Sequence, residues 1–304
     1  MKGITEIKGI KVGNYTDKAA MTGCTAVLFE GGAVGGVDVR GSAPGTRETD
    51  LLRGYNVVER IQAVMLSGGS AYGLDAASGA MQYLEEKNLG TDVSVGVVPI
   101  VPAAVIFDLG VGDAHVRPGK AEGYFACKTA TDGPVETGSV GAGTGATLGK
   151  TMGQEHAAKG GVGTACITLP GGAKLAALVV VNALGDVYDP ATGELVAAAT
   201  VNGVKMPCLG AAALAGAGFG NTTIGVIATD ATLTREEANK LASMAHDGLA
   251  MAIRPVHTSM DGDTIFGVST CELPAQPLLP ILAAAPTVMT MAVLDAVKSA
   301  EKQA

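Results

Sequence analysis

Residues 220–253 read "GNTTIGVIATDATLTREEANKLASMAHDGLAMAI", and the order of signals within them sets the fold class. A polar step, Asn221-Thr222-Thr223, opens onto "IGVIA" (224–228), a continuous apolar run of strand length. Such runs are expected of strands covered on both faces. Thr234 followed by Glu237 is a capping box, so a helix opens there, runs through "EEANKLASMAHDGLAMAI" and stops before Pro255. One buried strand feeding one capped helix is an α/β unit. What the unit leaves unexplained is the polar step itself, which follows a Gly-rich, helix-hostile run and has no Gly or Pro after it to make a turn.

The same alternation recurs outward in both directions. Residues 61–66, "IQAVML", read as a strand, followed by "SGGSAYG" and the helical "LDAASGAMQYLEEK". Residues 93–98 ("VSVGVV"), 175–181 ("LAALVVV") and 264–270 ("TIFGVST") read as further strands, and 286–300 as a C-terminal helix. Residues 129–172 read as one long Gly-rich loop, which compact domains rarely carry without a functional reason. With 44 Gly, no Trp and only 4% aromatic residues in 304, the core must be packed from Ala, Val, Leu and Ile. Small residues of that kind let helices lie flat on a sheet. No composition shift marks a domain boundary, so residues 1–304 are expected to form one domain.

A net charge of −8, with no local Lys/Arg cluster, speaks against nucleic acid or an anionic membrane as partner. The N-terminal "MKGITEIKGI" lacks the apolar core of a signal peptide. "KLAALVVVNALG" is too short for a bilayer span, and "PILAAAPTVMTMAVL" is expected to be broken by Pro286 and its threonines. Cys24, Cys127, Cys166, Cys208 and Cys271 are odd in number and without a CxxC spacing, which suggests reduced, buried thiols in a cytoplasmic protein.

Familiar site motifs come close and fail. Gly141, Gly143 and Ala146 fit G-x-G-x-x-A, but "PVETGS" before them is no buried strand; Gly149-Lys150-Thr151 ends a P-loop whose first position is Thr144 instead of Gly. Around Ser70, a nucleophile elbow would need Gly where Tyr72 stands. His115, His156, His246 and His257 show no metal spacing, and His246 falls mid-helix as a structural residue. Neither metal nor cofactor is expected.

That leaves "GNTT". A Thr hydroxyl is a weak nucleophile without an adjacent base, and one way to supply a base is to make Thr the first residue of a chain. A free α-amine, with a pKa near 7.7–8.0, suits proton transfer at neutral pH. Generating it internally requires Thr222 to attack the Asn221 carbonyl and the resulting ester to hydrolyse. The four residues alone favour an ordinary loop-to-strand junction, with Asn as turn former.

Longer stretches carry a resemblance. "GITEIKGIKVGNYTD", "GVDVRGSAPGTRETDLL" (36–52), "AVMLSGGSAYGLDAASG" (63–79), "GNTTIGVIATDATLT" and "PVHTSMDGDTIFGVST" together resemble the self-processing, N-terminal-nucleophile-like peptidases of the L-aminopeptidase/D-Ala-esterase type. That family includes β-peptidyl aminopeptidases and a nylon-oligomer endo-amidase. The resemblance runs essentially end to end. It implies an α/β fold, a four-layer α/β/β/α sandwich, cut into an α chain (1–221) and a β chain (222–304) that assemble as a homotetramer of such pairs.

Carried over by position, the resemblance makes Thr222 the nucleophile, Asn182 the side-chain amide of the oxyanion site, and Asp261 and Asp263 the acidic pair. Spaced by two, those carboxylates are expected to share one side of an extended segment and to reach the Thr222 amine and hydroxyl. Lys150 matches the nylon-oligomer type, where the aminopeptidase type tends to have Tyr; an ammonium there would ease deprotonation of the hydroxyl. Pocket candidates are Ser70, Tyr72 and Glu136. The implied activity is hydrolysis of amide bonds in small peptides or peptide-like amides through an acyl-enzyme. An aminopeptidase on small α- or β-peptides, and a non-catalytic ligand-binding relative that stays whole, remain the alternatives.

Overall fold

The computed structural model describes residues 2–208 and 220–303. Its frame is a sheet built from β1 (Ile10–Asp17), β2 (Thr22–Val39), β3 (Arg60–Ser67), β4 (Ala103–Val105), β5 (Gly161–Thr168), β6 (Lys174–Asn182), β7 (Thr222–Ala231) and β8 (Thr264–Leu273), with a two-residue strand at Thr46–Arg47. The order is β5-β6-β7-β8-β2-β3-β4 and then Thr46–Arg47, and β1 pairs with β2. Neighbours are antiparallel except β7 with β8 and β3 with β4.

Strand β2 explains how one hydrogen-bonded sheet becomes two layers. Its first part, 22–29, pairs with β1 and its last part, 34–39, pairs with β8. Between them the register against β3 shifts from Leu28 to Ala33, with Gly32 at φ +70 in the bend. The two halves of the sheet then face each other across an inner core that includes Val27, Phe29, Leu66, Leu178, Val180, Val226 and Phe266. Outside one half lie α3 (Arg235–Ala252) and α4 (Leu278–Glu301); outside the other lie α1 (Ala76–Glu86) and α2 (Lys120–Lys128). The layers are α/β/β/α.

Strand β6 shows why its sequence is apolar without interruption. Leu175, Ala177, Val179 and Val181 pack toward α3 and α4, while Ala176, Leu178 and Val180 pack into the inner core. Both faces are dry, so no polar alternation survives. Helix α3 begins where the capping box places it: the Thr234 hydroxyl accepts the Glu237 N–H, and the Glu237 carboxylate accepts the Thr234 N–H.

Three expectations are corrected. The supposed loop 129–172 contains β5, an edge strand whose glycines hide it; a side chain at Gly163 would strike the Ala292 carbonyl of α4, so Gly is what lets that helix lie on the strand. Residues 93–98 are no covered strand. Thr91–Asp92 pairs with Val97–Val98 in a two-stranded ladder, and the Asp92 carboxylate caps Ser94 in an exposed turn between them. Helix α4 is longer than expected, running unbroken through Pro286. By length and composition it could cross a membrane, but its Ile281, Ala285, Val288, Ala292, Val293 and Ala296 are buried against the sheet and α3. All five cysteines are free; Cys24 and Cys127 are buried and the other three half-buried.

Candidate active site

Three strand ends meet at one edge of the layer under α3 and α4. Asn182 closes β6 and Thr222 opens β7, and the two are register partners. Because β8 runs parallel to β7, the turn that enters β8 lies beside the residue that enters β7, and Asn221 bridges to Asp261. The antiparallel and parallel pairings therefore bring together Asn182, Thr222 and Asp261, residues far apart in the chain, without any loop reaching across.

The turn "DGD" fits under Thr222 because its centre is glycine. A side chain at 262 would come within 2.9 Å of Thr222 Oγ1 and 2.7 Å of the Ala43 carbonyl. The Gly262 N–H donates to the Asn221 carbonyl oxygen at 3.0 Å, and the Thr222 hydroxyl donates to that same oxygen. The "GVDVRGSAPG" segment holds the turn from outside: the N–H groups of Arg40 and Gly41 donate to the Asp263 carbonyl, and that of Ala43 to the Asp261 carbonyl. A side chain at Gly41 would collide with the Asp261 carbonyl and the Asp263 nitrogen.

Both acidic side chains are buried, but they reach their partners differently from expectation. One Asp263 oxygen accepts the Thr223 N–H at 2.6 Å, and the other accepts the His257 backbone N–H at 3.1 Å and ring Nδ1 at 2.7 Å. Asp261 accepts the Thr258 N–H at 2.7 Å and hydroxyl at 2.5 Å. In the intact chain the Thr222 nitrogen is a peptide amide inside β7, so there is no amine for either carboxylate to meet. Burial pushes the Asp261 carboxyl above the usual range, and the neighbouring Asp263 charge adds to it.

Opposite the turn, Lys150 Nζ donates to the Gly220 carbonyl at 2.8 Å, the Asn182 side-chain oxygen at 3.0 Å and the Asn182 carbonyl at 3.2 Å. Burial lowers this ammonium to about 7, against the pull of Asp261 and Asp108. Three acceptors for three N–H donors favour the charged form. The Asn182 amide donates to the Gly220 and Phe107 carbonyls, each at 3.1 Å, while its oxygen also accepts the Thr147 N–H at 3.0 Å. The Asn182 amide, expected at an oxyanion, and the Lys150 ammonium, expected beside the hydroxyl, thus converge on the carbonyl of Gly220, one residue before Asn221.

A cavity of about 300 Å³ opens beside Thr222, lined chiefly by Pro44, Ser70, Val105, Ile106, Phe107 and Met260. Ser70 is therefore at the site. Tyr72 is exposed and stacks under Arg117 at 4.1 Å, and Glu136 lines a separate hollow with Asn14 and Thr131. Sequence reasoning missed Asp108, buried on the Gly69 N–H and the Thr22 hydroxyl at 2.7 Å each. It also missed His257 and Thr258, although "HTSMDGD" places them within six residues of the acidic pair. Among the described residues no cluster of His, Cys, Asp and Glu could hold a metal ion.

Known proteins resemble this chain in sequence and in fold. The profile of Peptidase family S58 matches residues 2–304. An uncharacterized aminopeptidase of Mycobacterium leprae (strain TN) is 48% identical over 294 residues, covering 89% of this chain and 79% of its own. A 6-aminohexanoate-oligomer endohydrolase of Kocuria sp. (strain KY2) is 33% identical over 289 residues, covering 90% and 76%. Among solved structures, the L-aminopeptidase D-Ala-esterase/amidase of Ochrobactrum anthropi superposes with a TM-score of 0.73 at 20% identity, over 98% of this chain and 86% of its own.

Proposed function

The chain belongs to Peptidase family S58 and is an amide-bond hydrolase; on that premise we propose that it processes itself at Asn221–Thr222 and works through Thr222 as an N-terminal nucleophile. The observation that carries this reading is the buried Thr222 hydroxyl hydrogen-bonded to the carbonyl oxygen of the bond before it, with the Gly262 N–H on the same oxygen.

Attack of Thr222 Oγ on the Asn221 carbonyl carbon forms a C–O bond, and the carbonyl electron pair moves onto an oxygen already held by Gly262. Preorganised donors of this kind stabilise charge where it develops. We assign to the buried Asp261 carboxyl, in the turn bridged to Asn221 and held above the usual range by burial, the role of taking the hydroxyl proton and passing it to the leaving nitrogen. Collapse breaks the C–N bond, leaving an ester on Thr222 and a free amine; water then hydrolyses the ester and residue 221 ends in a carboxylate. The freed amine serves as base for each later turnover, when a substrate amide is attacked by the same hydroxyl and its acyl group passes through the same ester.

The cavity beside Thr222 supports a neutral acyl group, since none of its lining side chains is charged. The family supports a homotetramer of α/β pairs, and five free thiols suit a cytoplasmic setting.

Intact mass and N-terminal sequencing test the reading directly. The purified protein should give a fragment beginning Thr-Thr-Ile-Gly, and Thr222→Ala should stay whole near 30.2 kDa. Cleavage of Thr222→Ala at the same bond would assign the cut to an outside protease; an intact wild-type chain would favour a ligand-binding relative.

A further inference from the structure

His257 is an expensive residue where it stands. Its backbone occupies the left-handed region, at φ +58, which is uncommon for residues with a side chain, although His adopts it more often than most. Its ring is largely buried, with Nε2 lacking a hydrogen-bond partner among the described residues, although buried polar atoms are nearly always paired. It also packs edge-on against a second buried imidazole, His246, with ring centres 4.8 Å apart. His246 is spoken for: its Nε2 meets the Asp38 carbonyl at 2.9 Å, and burial lowers its pKa to about 4, so it stays neutral.

What these features have in common is the bond at the other side of the ring. His257 places two donors, its own N–H and ring Nδ1, on the same oxygen of Asp263, at 3.1 and 2.7 Å. The carboxylate can only accept, so Nδ1 carries the proton of this bond. With one oxygen clamped in this way, the other is aimed at the Thr223 N–H, 2.6 Å away and one residue from the nucleophile. A carboxylate without the clamp could rotate about both side-chain bonds and lose that aim.

We propose that His257 is a positioning residue, whose Nδ1–H fixes Asp263 on the Thr223 N–H and thereby holds the head of β7, and with it the Thr222 hydroxyl, in place for attack on the Asn221 carbonyl. The proposal rests on Thr222 being the nucleophile. It assigns His257 no contact with substrate and no proton transfer of its own.

The test exploits which ring nitrogen matters. In His257→Asn the side-chain NH₂ lies where Nδ1 was; in His257→Gln it lies near Nε2. Full-length chains made by cell-free translation are followed by intact mass for the appearance of 1–221 and 222–304, with Thr222→Ala in parallel. His257→Ala and His257→Gln should cleave about 10- to 100-fold more slowly, the loss expected for one hydrogen bond to a charged group, and His257→Asn should recover to near the wild-type rate. Wild-type speed in His257→Ala or His257→Gln would overturn the proposal, as would His257→Asn being as slow as His257→Gln at equal melting temperature, which marks a packing role only. Should His257→Ala fail to fold, the Asn and Gln variants decide alone. If Thr222→Ala cleaves too, it is the nucleophile assignment that fails, a different result from a silent His257.

Discussion

Asn182 and Thr222 face each other as register partners at the ends of β6 and β7, yet the Asn182 amide donates to the Gly220 carbonyl. Lys150 donates to that same carbonyl. The intact chain therefore satisfies both Lys150 and the Asn182 amide with its own backbone. The Asn221 carbonyl is served separately by Gly262. On the proposed mechanism the oxyanion donor would be Gly262 in self-cleavage and Asn182 in substrate turnover, and each can be tested alone.

Gly262→Ala addresses the first. A methyl group there would press on Thr222 Oγ1 and the Ala43 carbonyl, moving the N–H away from Asn221. Losing one such donor typically lowers a rate by about 10²–10³. The variant should accumulate as a single chain, visible on a denaturing gel; wild-type processing in Gly262→Ala would remove Gly262 from the mechanism.

Asn182→Ala addresses the second. In enzyme that has been cleaved, kcat should fall by about 10²–10³ with little change in KM, because the donor acts in the transition state. A rise in KM at unchanged kcat would instead make Asn182 a binding residue.

A chain stalled before cleavage should not hydrolyse amides, since its Gly220 carbonyl occupies Lys150 and Asn182. In slow-processing Gly262→Ala, activity should rise in step with the fragment bands. Full activity from the single chain would show that the cut is dispensable.

The pH dependence of self-cleavage should carry a falling limb. Lys150 is lowered to about 7, so its ammonium prevails below that pH and is lost above it. Asp108 and Asp261 oppose the shift, and Asp108→Asn removes one of those charges, moving the limb to lower pH. Stability follows the opposite sign. Between about pH 7 and the ordinary lysine range the unfolded chain holds more protons than the folded one, so this group's contribution rises with pH. Lys150→Met should flatten that rise in urea titrations.

The uncharged cavity predicts selectivity. An ammonium moved into it would lack a counter-charge, which is costly, so N-acylated amides should exceed free α-amino-acid amides in kcat/KM. Hydrolysis confined to substrates with a free amine would contradict this.

Where β6 and β7 lie, where α3 starts and which polar residues break the apolar pattern are properties of consecutive residues, and the chain shows them plainly. The run "LAALVVV", the Thr234/Glu237 cap and the out-of-place "NTT" needed nothing else. Strand β5 was hidden because glycine carries no periodic signal; its reason is the helix lying on it. The roles of Asp108 and His257 were hidden because each depends on a group distant in the chain or on a backbone angle. The same holds for the choice of Gly220 as the acceptor of Asn182: a carbonyl exists at every residue, and sequence does not say which one a donor will meet. Local chemistry therefore determined the elements and the polar residues at their ends. Only the three-dimensional convergence of β6, β7 and β8 decided who bonds to whom, because hydrogen bonds are set by distances of about 3 Å that chain order does not encode.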